Sequence, residues 1–117
     1  MPVPPLTAEQ RAAALQKAAA ARRTRAAVSA ELHHAGEHPG AALAAVVARA
    51  ADDEAIAKMR VAALLDALPG IGKVRAAEIM GRLAISPTRR VRGLGAKQRA
   101  ALAAEFRHDM QSAGRSD

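Results

Sequence analysis

The chain has 117 residues and carries a net charge of +7, with a pI of about 11.3. It holds no Cys, which excludes disulfides, thiol nucleophiles, zinc fingers and thiolate-held iron clusters. One Phe, with no Trp or Tyr, argues against binding single strands by stacking bases on rings, whereas a basic surface without such rings suits duplex phosphates.

Residues 1–6 are Pro-rich and extended, without the apolar core of a signal peptide. Thr7 followed by Gln10 is a capping-box pattern that opens a long helix running to about His34 or Ala35, where Gly36 and Pro39 punctuate the chain. The apolar stripe of this helix is weak. Leu15 lies far in angle from Val28 and Leu32, and most of the rest is Ala, so residues 1–27 are expected to form a basic helical arm ahead of a domain at 28–110. A second helix is predicted over 41–51, with Leu43, Val46 and Val47 turned inward. Asp52, Asp53 and Glu54 follow, acids of the kind that suit a helix start. Val61, Leu64, Leu65 and Leu68 recur at helical spacing and predict a third helix over 59–68, stopped by Pro69 and Gly70. A fourth is predicted from Lys73 to Leu83, burying Ala76, Ile79, Met80 and Leu83. Ser86-Pro87 is read as the opening of a short helical turn that Gly93 and Gly95 end. A last helix over 96–110 is anchored by Leu102, Phe106 and Met110, with a flexible tail at 111–117. Ala is abundant and β-branched residues are scarce, so the whole chain is expected to be all-α. No run of about 18 apolar residues exists, so no membrane span is expected.

The charge is uneven. Residues 1–57 hold six Lys/Arg against six Asp/Glu and cancel, whereas residues 58–117 hold twelve against five and supply all of the +7. Within the neutral half, Arg11, Lys17, Arg22, Arg23 and Arg25 stand together without an intervening acid. A run of charge is by itself as consistent with a solvated face as with a ligand. Clustered Arg at a pI above about 9 favours nucleic acid.

Two stretches carry the functional argument. Leu68-Pro-Gly-Ile-Gly-Lys-Val-Arg-Ala76 places Gly70 and Gly72 in a tight turn between helices, with Ile71 plugging the core beneath. The turn feeds a helix N-terminus whose unpaired amides attract phosphate, with Lys73 and Arg75 adding charge. A plain helix–helix turn also favours Gly, but the leading Leu-Pro and the trailing Lys-x-x-Ala favour a phosphate-binding hairpin. The second stretch, Thr88-Arg-Arg-Val-Arg-Gly-Leu-Gly95, packs three Arg into four residues. A compact Arg turn suits a narrow minor groove. Arg89, Arg90 and Arg92 cannot all point one way on a single turn, and Arg90 and Arg92 are the favoured contacts.

Leu68 to Phe106 resembles a helix-two-turn-helix unit. With Pro-Pro-Leu-Thr-x-Glu-Gln-Arg-Ala-Ala-Ala at 4–14 and the long Ala/Arg helix, most of the chain is similar to the actinobacterial integration host factor family, least so over 36–57. The resemblance implies a small helical, non-enzymatic, cytoplasmic protein of the nucleoid. It implies duplex DNA binding with little sequence preference, bending or compaction of that DNA, and support of phage integration, with an integrase as an indirect partner. It carries contacts onto Gly70, Ile71, Gly72, Lys73, Val74 and Arg75 and onto Arg90 and Arg92. Arg89, Gly93 and Lys97 complete the expected interface, and Arg22, Arg23, Arg25, Lys58 and Arg60 form a secondary one. The chain is expected to act as a monomer without a cofactor. One departure stands out, because Ala84 occupies a position where the family usually has Gly.

Two other classes fit less well. An RNA-binding ribosomal protein of the small-subunit head shares the glycine hairpin, but usually ends in a longer and more basic tail than residues 110–117. A hairpin-bearing DNA glycosylase needs a catalytic carboxylate or nucleophile, and no Asp lies between Asp66 and Asp109. No catalytic residue is assigned. His33, His34 and His38 read as exposed residues at a helix end and not as metal ligands, since Gly36 interrupts the i,i+4 pair.

Overall fold

The first helix, α1, runs Ala8–His33, and Thr7 starts it as the sequence predicts. The Thr7 hydroxyl accepts from the Gln10 amide at 3.0 Å, and the Gln10 side chain accepts from the Thr7 amide at 2.9 Å, so two orphan donors are satisfied reciprocally. The computed structural model describes the backbone of residues 4–115 and the side chains of residues 4–106. Residues 8–18 of α1 are exposed on every side, and Leu15 keeps 70% of its surface in water. Ala19, Ala21 and Thr24 are half-buried, and Val28 and Leu32 are the buried pair that docks the helix on the core.

The second helix, α2, spans Pro39–Arg49, two residues ahead of the expected span, because Pro39 takes the first helical position where its missing amide costs nothing. Its Leu43 and Val46 are buried, and α2 packs mainly against the last helix. The predicted third helix, 59–68, begins later than expected, as α4 at Val61–Ala67, and a short α3 at Glu54–Ala57 precedes it where the acidic run suits a helix start. Asp53 caps α3, its carboxylate accepting from the amides of Ala55 and Ile56 at 3.0 and 3.3 Å. The break falls at Met59–Arg60 because the backbone there pairs elsewhere. The Val61 amide donates to the Arg89 carbonyl and the Val91 amide to the Met59 carbonyl, both at 2.9 Å. Arg60 and Arg90 thus form an isolated antiparallel bridge inside an otherwise helical protein.

The fourth predicted helix is α5, Gly72–Arg82. Ala76, Ile79 and Met80 are buried as expected, and Leu83 is half-buried. Ala84 then adopts φ +57, among the described residues the sole non-glycine in the left-handed region. The Ile85 amide donates to the Met80 carbonyl at 2.8 Å and the Ala84 amide to the Gly81 carbonyl at 3.3 Å, the two bonds of a Schellman ending. Ser86-Pro87 does not open a helix. The Ser86 carbonyl accepts from the Arg89 amide at 2.9 Å and closes a four-residue turn. The helical turn comes later, as a single 3-10 turn at Val91–Gly93, because Arg89 and Val91 are held by the bridge. The last helix, α6, covers Ala96–Arg115 and so takes in 111–115, which the sequence assigned to a tail. The expected anchor Met110 lies outside the residues whose side chains are described, and residues 116–117 lie outside the described backbone.

The core is aliphatic apart from Phe106, which is 1% exposed. It joins α1 to α6 through Leu32, Val46, Ile56, Leu64, Leu65 and Ile79, and among the described residues it buries no polar or charged side chain. The stabilisation available to such a core is apolar area, at about 25 cal/mol per Å². Ion pairs lie outside it. Glu31–Arg49 at 2.8 Å and Arg82–Glu105, whose carboxylate side is mostly buried, join segments far apart in sequence, and the exposed Glu31–Arg49 pair adds little. Among the described residues no helix is long and apolar enough to cross a membrane.

Candidate nucleic-acid interface

The hairpin is built from the core outward. Leu68 is buried and Ile71 packs against the core, so the intervening Pro69-Gly70 is thrust to the surface. Gly70 sits at φ +77 and Gly72 at φ +67. Nothing lies within 4 Å of a Cβ built on either residue, so glycine is needed here for backbone conformation and not for space. The helix entered this way has no side-chain cap at Ile71 and no acid in its first turn. Its dipole and its first amides therefore confront solvent, with Lys73, Val74 and Arg75 exposed around them. Val74 is 76% exposed, the most exposed large apolar side chain among the described residues.

The three arginines of the second turn go to three different places. Arg89 folds back along the 3-10 turn, and its guanidinium donates to the Gly93 carbonyl at 3.3 Å. A Cβ on Gly93 would meet the Arg89 Cδ at 3.0 Å, so Gly93 serves this turn by leaving room for the arginine stem. Arg90 donates through Nη1 to the Lys58 carbonyl at 2.6 Å. Arg92 is exposed, and its charge is felt at Glu54. Glu54 is held below the usual carboxylate range first by the hydrogen bond and charge of Lys58, then by the charges of Lys17 and Arg92. The ion pairs are Lys58–Glu54 at 2.9 Å and Lys17–Glu54 at 3.9 Å, and the second ties α1 to α3.

The hairpin and the second turn border two hollows that have Ala63 in common. A groove of about 390 Å³ runs between α4 and α5, with Lys73, Asp66 and Pro87 on its rim and Ala62 and Ala63 in its wall. Ala63 also walls an adjoining cavity of about 380 Å³, which gathers Arg25, Lys58, Arg60 and Arg90. The structure thus brings four of the sequence-predicted cations together. It leaves Arg22 and Arg23 exposed elsewhere on α1 and Lys97 exposed in the first turn of α6, none of them lining either hollow. Sequence reasoning missed the role of Ala63, and no sequence signal marks it among so many alanines. His33 and His34 stack edge to face at 5.3 Å, and among the described residues no three His, Asp or Glu side chains assemble as a metal site.

Residues 37–106 match the S13-like H2TH domain family. Over 106 residues, 91% of this chain, the protein is 58% identical to the integration host factor of Streptomyces coelicolor and covers 95% of it. The chain belongs to the integration host factor family. The integration host factor of Mycobacterium tuberculosis is 55% identical over the same share of the chain, with 97% of the relative covered. A solved structure described as sIHF bound to an 8-bp palindromic DNA superposes with a TM-score of 0.71 at 54% identity, covering 78% of this chain and 98% of that one. The H2TH unit alone is named for its S13-like kinship, which is why a ribosomal reading arises. The integration host factor match takes in all but eleven residues of the chain and so includes most of α1. That decides against the ribosomal alternative.

Proposed function

We propose that this protein binds duplex DNA through its backbone phosphates and minor groove, with little sequence preference, and bends or compacts it as an architectural component of the nucleoid. The observation that carries the reading is the uncapped, acid-free start of α5 at Gly72, beside a groove that shares Ala63 with the cavity of Arg90, in a chain 54% identical to a protein solved on DNA. Phosphate accepts from the α5 amides and pairs with Lys73 and Arg75, which positions the duplex without reading its sequence. Arg92, projecting from the 3-10 turn, enters the minor groove. Gly70, Ile71 and Gly72 shape the hairpin, Val74 lies against sugar, and Arg89 and Gly93 hold the second turn in form. Lys97 adds charge at the start of α6. The protein acts as a monomer, without cofactor or catalytic step, and assists site-specific recombination through the shape it gives DNA, with an integrase contacting that DNA in turn.

A salt titration on a random duplex, a TA-rich duplex and a structured RNA tests the reading. Each phosphate neutralised contributes about −0.9 to the slope of log K against log salt on B-DNA. The two duplexes are expected to bind within a few-fold of each other and more tightly than the RNA. Arg92→Ala is expected to lower the slope by about 1 on both duplexes. Tighter RNA binding, or an Arg92→Ala slope equal to that of the wild type, would overturn it.

A further inference from the structure

The free end of α1 and the groove between α4 and α5 each lack what the other supplies. Residues 8–18 are exposed on every side, and among the described residues only Lys17 of this stretch forms an ion pair. Ala8, Arg11, Ala12 and Leu15 stand at i, i+3, i+4 and i+7, so they share one helix face. That face offers one large apolar side chain, 70% exposed, flanked by small residues and one unpaired cation. The groove is its counterpart. Its floor is apolar, with Met80 and Ile85 buried, and the small side chains of Ala62 and Ala77 keep its walls low. Asp66 is the one carboxylate in its lining, half-buried, and among the described residues it has no hydrogen-bond or ion-pair partner, Lys73 included. A carboxylate left unpaired beside a phosphate-binding hairpin repels the ligand, so Asp66 calls for a cation from outside the fold. The lengths also agree. The eleven residues 8–18 and the 11 residues of α5 each span about 16 Å.

We infer that this groove receives the free end of α1 from a second copy of the chain, with Leu15 in the hollow and Arg11 on Asp66, when copies sit side by side on DNA. The inference rests on the DNA reading proposed above, because DNA is what brings the copies together. Arm and groove are different surfaces, so the contact is heterologous. It repeats from copy to copy into an open row and does not close into a dimer. One helix face engages far fewer than the roughly 20–30 residues a side of a stable interface. Each copy therefore binds as a monomer, and the local concentration of neighbours on one duplex makes the contact form. Where a copy sits alone, Arg11 is left to the phosphates. Between neighbours Asp66 takes it, and the groove loses its repelling charge.

The test compares binding isotherms on a short random duplex that seats one copy and on a long one that seats several. The wild type is expected to bind beside a neighbour about tenfold more tightly than alone, the yield of burying one Leu. Leu15→Ser is expected to abolish that gain while keeping the wild-type affinity for the short duplex and the wild-type melting transition, since Leu15 is exposed. Arg11→Asp and Asp66→Arg are each expected to abolish the gain, and the double variant Arg11→Asp/Asp66→Arg to restore it. An equal gain in the wild type and in Leu15→Ser, or a double variant without gain, would overturn the inference. If the wild type binds the short duplex but gains nothing on the long one, the DNA reading stands and only the contact falls. If it does not bind the short duplex, the DNA reading falls and takes the inference with it. The chain has no Cys, so a disulfide locates the arm directly. Leu15→Cys mixed with Ala77→Cys is expected to crosslink on the long duplex. Crosslinking to Ala48→Cys instead, in the apolar hollow between α2 and α6, would place the arm elsewhere and overturn the assignment.

Discussion

Replacing Ala84 by Gly is expected to stabilise the protein. Ala84 holds φ +57 at the end of α5, where an L side chain crowds its own backbone and glycine does not. Both bonds of the Schellman ending join backbone atoms, and the Gln98 side chain donates to the Ala84 backbone carbonyl at 3.3 Å, so all three survive the change. The Ala84 methyl is exposed, so no buried area is lost. The expected gain is about 1 kcal/mol, net of the extra freedom of glycine in the unfolded chain. In a domain of this length that raises Tm by about 4–6 °C. The assay is thermal melting followed by helical circular dichroism.

Two companions make the argument refutable. Ala77→Gly removes the same methyl from an exposed site inside α5 and is expected to lower stability by about 1 kcal/mol, since there glycine only adds freedom to be lost. Ala84→Val puts a β-branched side chain in the left-handed region and is expected to lower stability further. An unchanged or lower Tm for Ala84→Gly, against a fall for Ala77→Gly, would show that the left-handed residue carries no strain.

Gly72→Ala meets no atom but forces a methyl onto φ +67, so a loss of more than about 1 kcal/mol is expected together with weaker DNA binding, measured by melting and by anisotropy. Glu54→Gln removes a negative charge beside Lys17, Lys58 and Arg92, and about two- to fivefold tighter DNA binding is expected at low salt, vanishing at high salt. The sign of the pH dependence follows from the lowered Glu54 pKa. Its ion pairs help the fold above the usual carboxylate range and are lost as pH falls through the lowered value, so DNA affinity is expected to gain from protonation of Glu54 in that acid window, and Glu54→Gln to abolish that gain. Deleting residues 2–16 removes no buried side chain among the described residues and is expected to leave the melting transition intact while lowering the salt slope through the absence of Arg11.

What could be read from the sequence was decided by neighbours in sequence. Thr7 with Gln10, Gly70 and Gly72 in their turn, and Ala84 in a glycine position each depend on atoms within a few residues. The division of α3 from α4 does not. Met59 and Arg60 continue a good helical pattern, and nothing local breaks it. The break exists because the Met59 carbonyl and the Val61 amide are claimed by Val91 and Arg89, some thirty residues away. The fates of Arg89, Arg90 and Arg92 were hidden for the same reason. Their chemistry is identical, and only the missing Cβ of Gly93 and the distant Lys58 carbonyl tell them apart.

That long-range pairing also leads to the expectation that the cations of 58–93 contribute more to DNA affinity than those of α1. The bridge locks the Arg turn to α4, and Val61 and Val91 are buried on either side of it. The guanidiniums of Arg89 and Arg90 are therefore held by carbonyls before any ligand binds, and little side-chain freedom is left to lose on association. Arg11, Arg22 and Arg23 stand on a helix face with long exposed stems and must surrender that freedom for every phosphate they meet. One cation held before binding is thus expected to contribute more affinity than one on α1. The first half is expected to attract DNA from a distance through its local run of Arg, and the rigid second half to hold it.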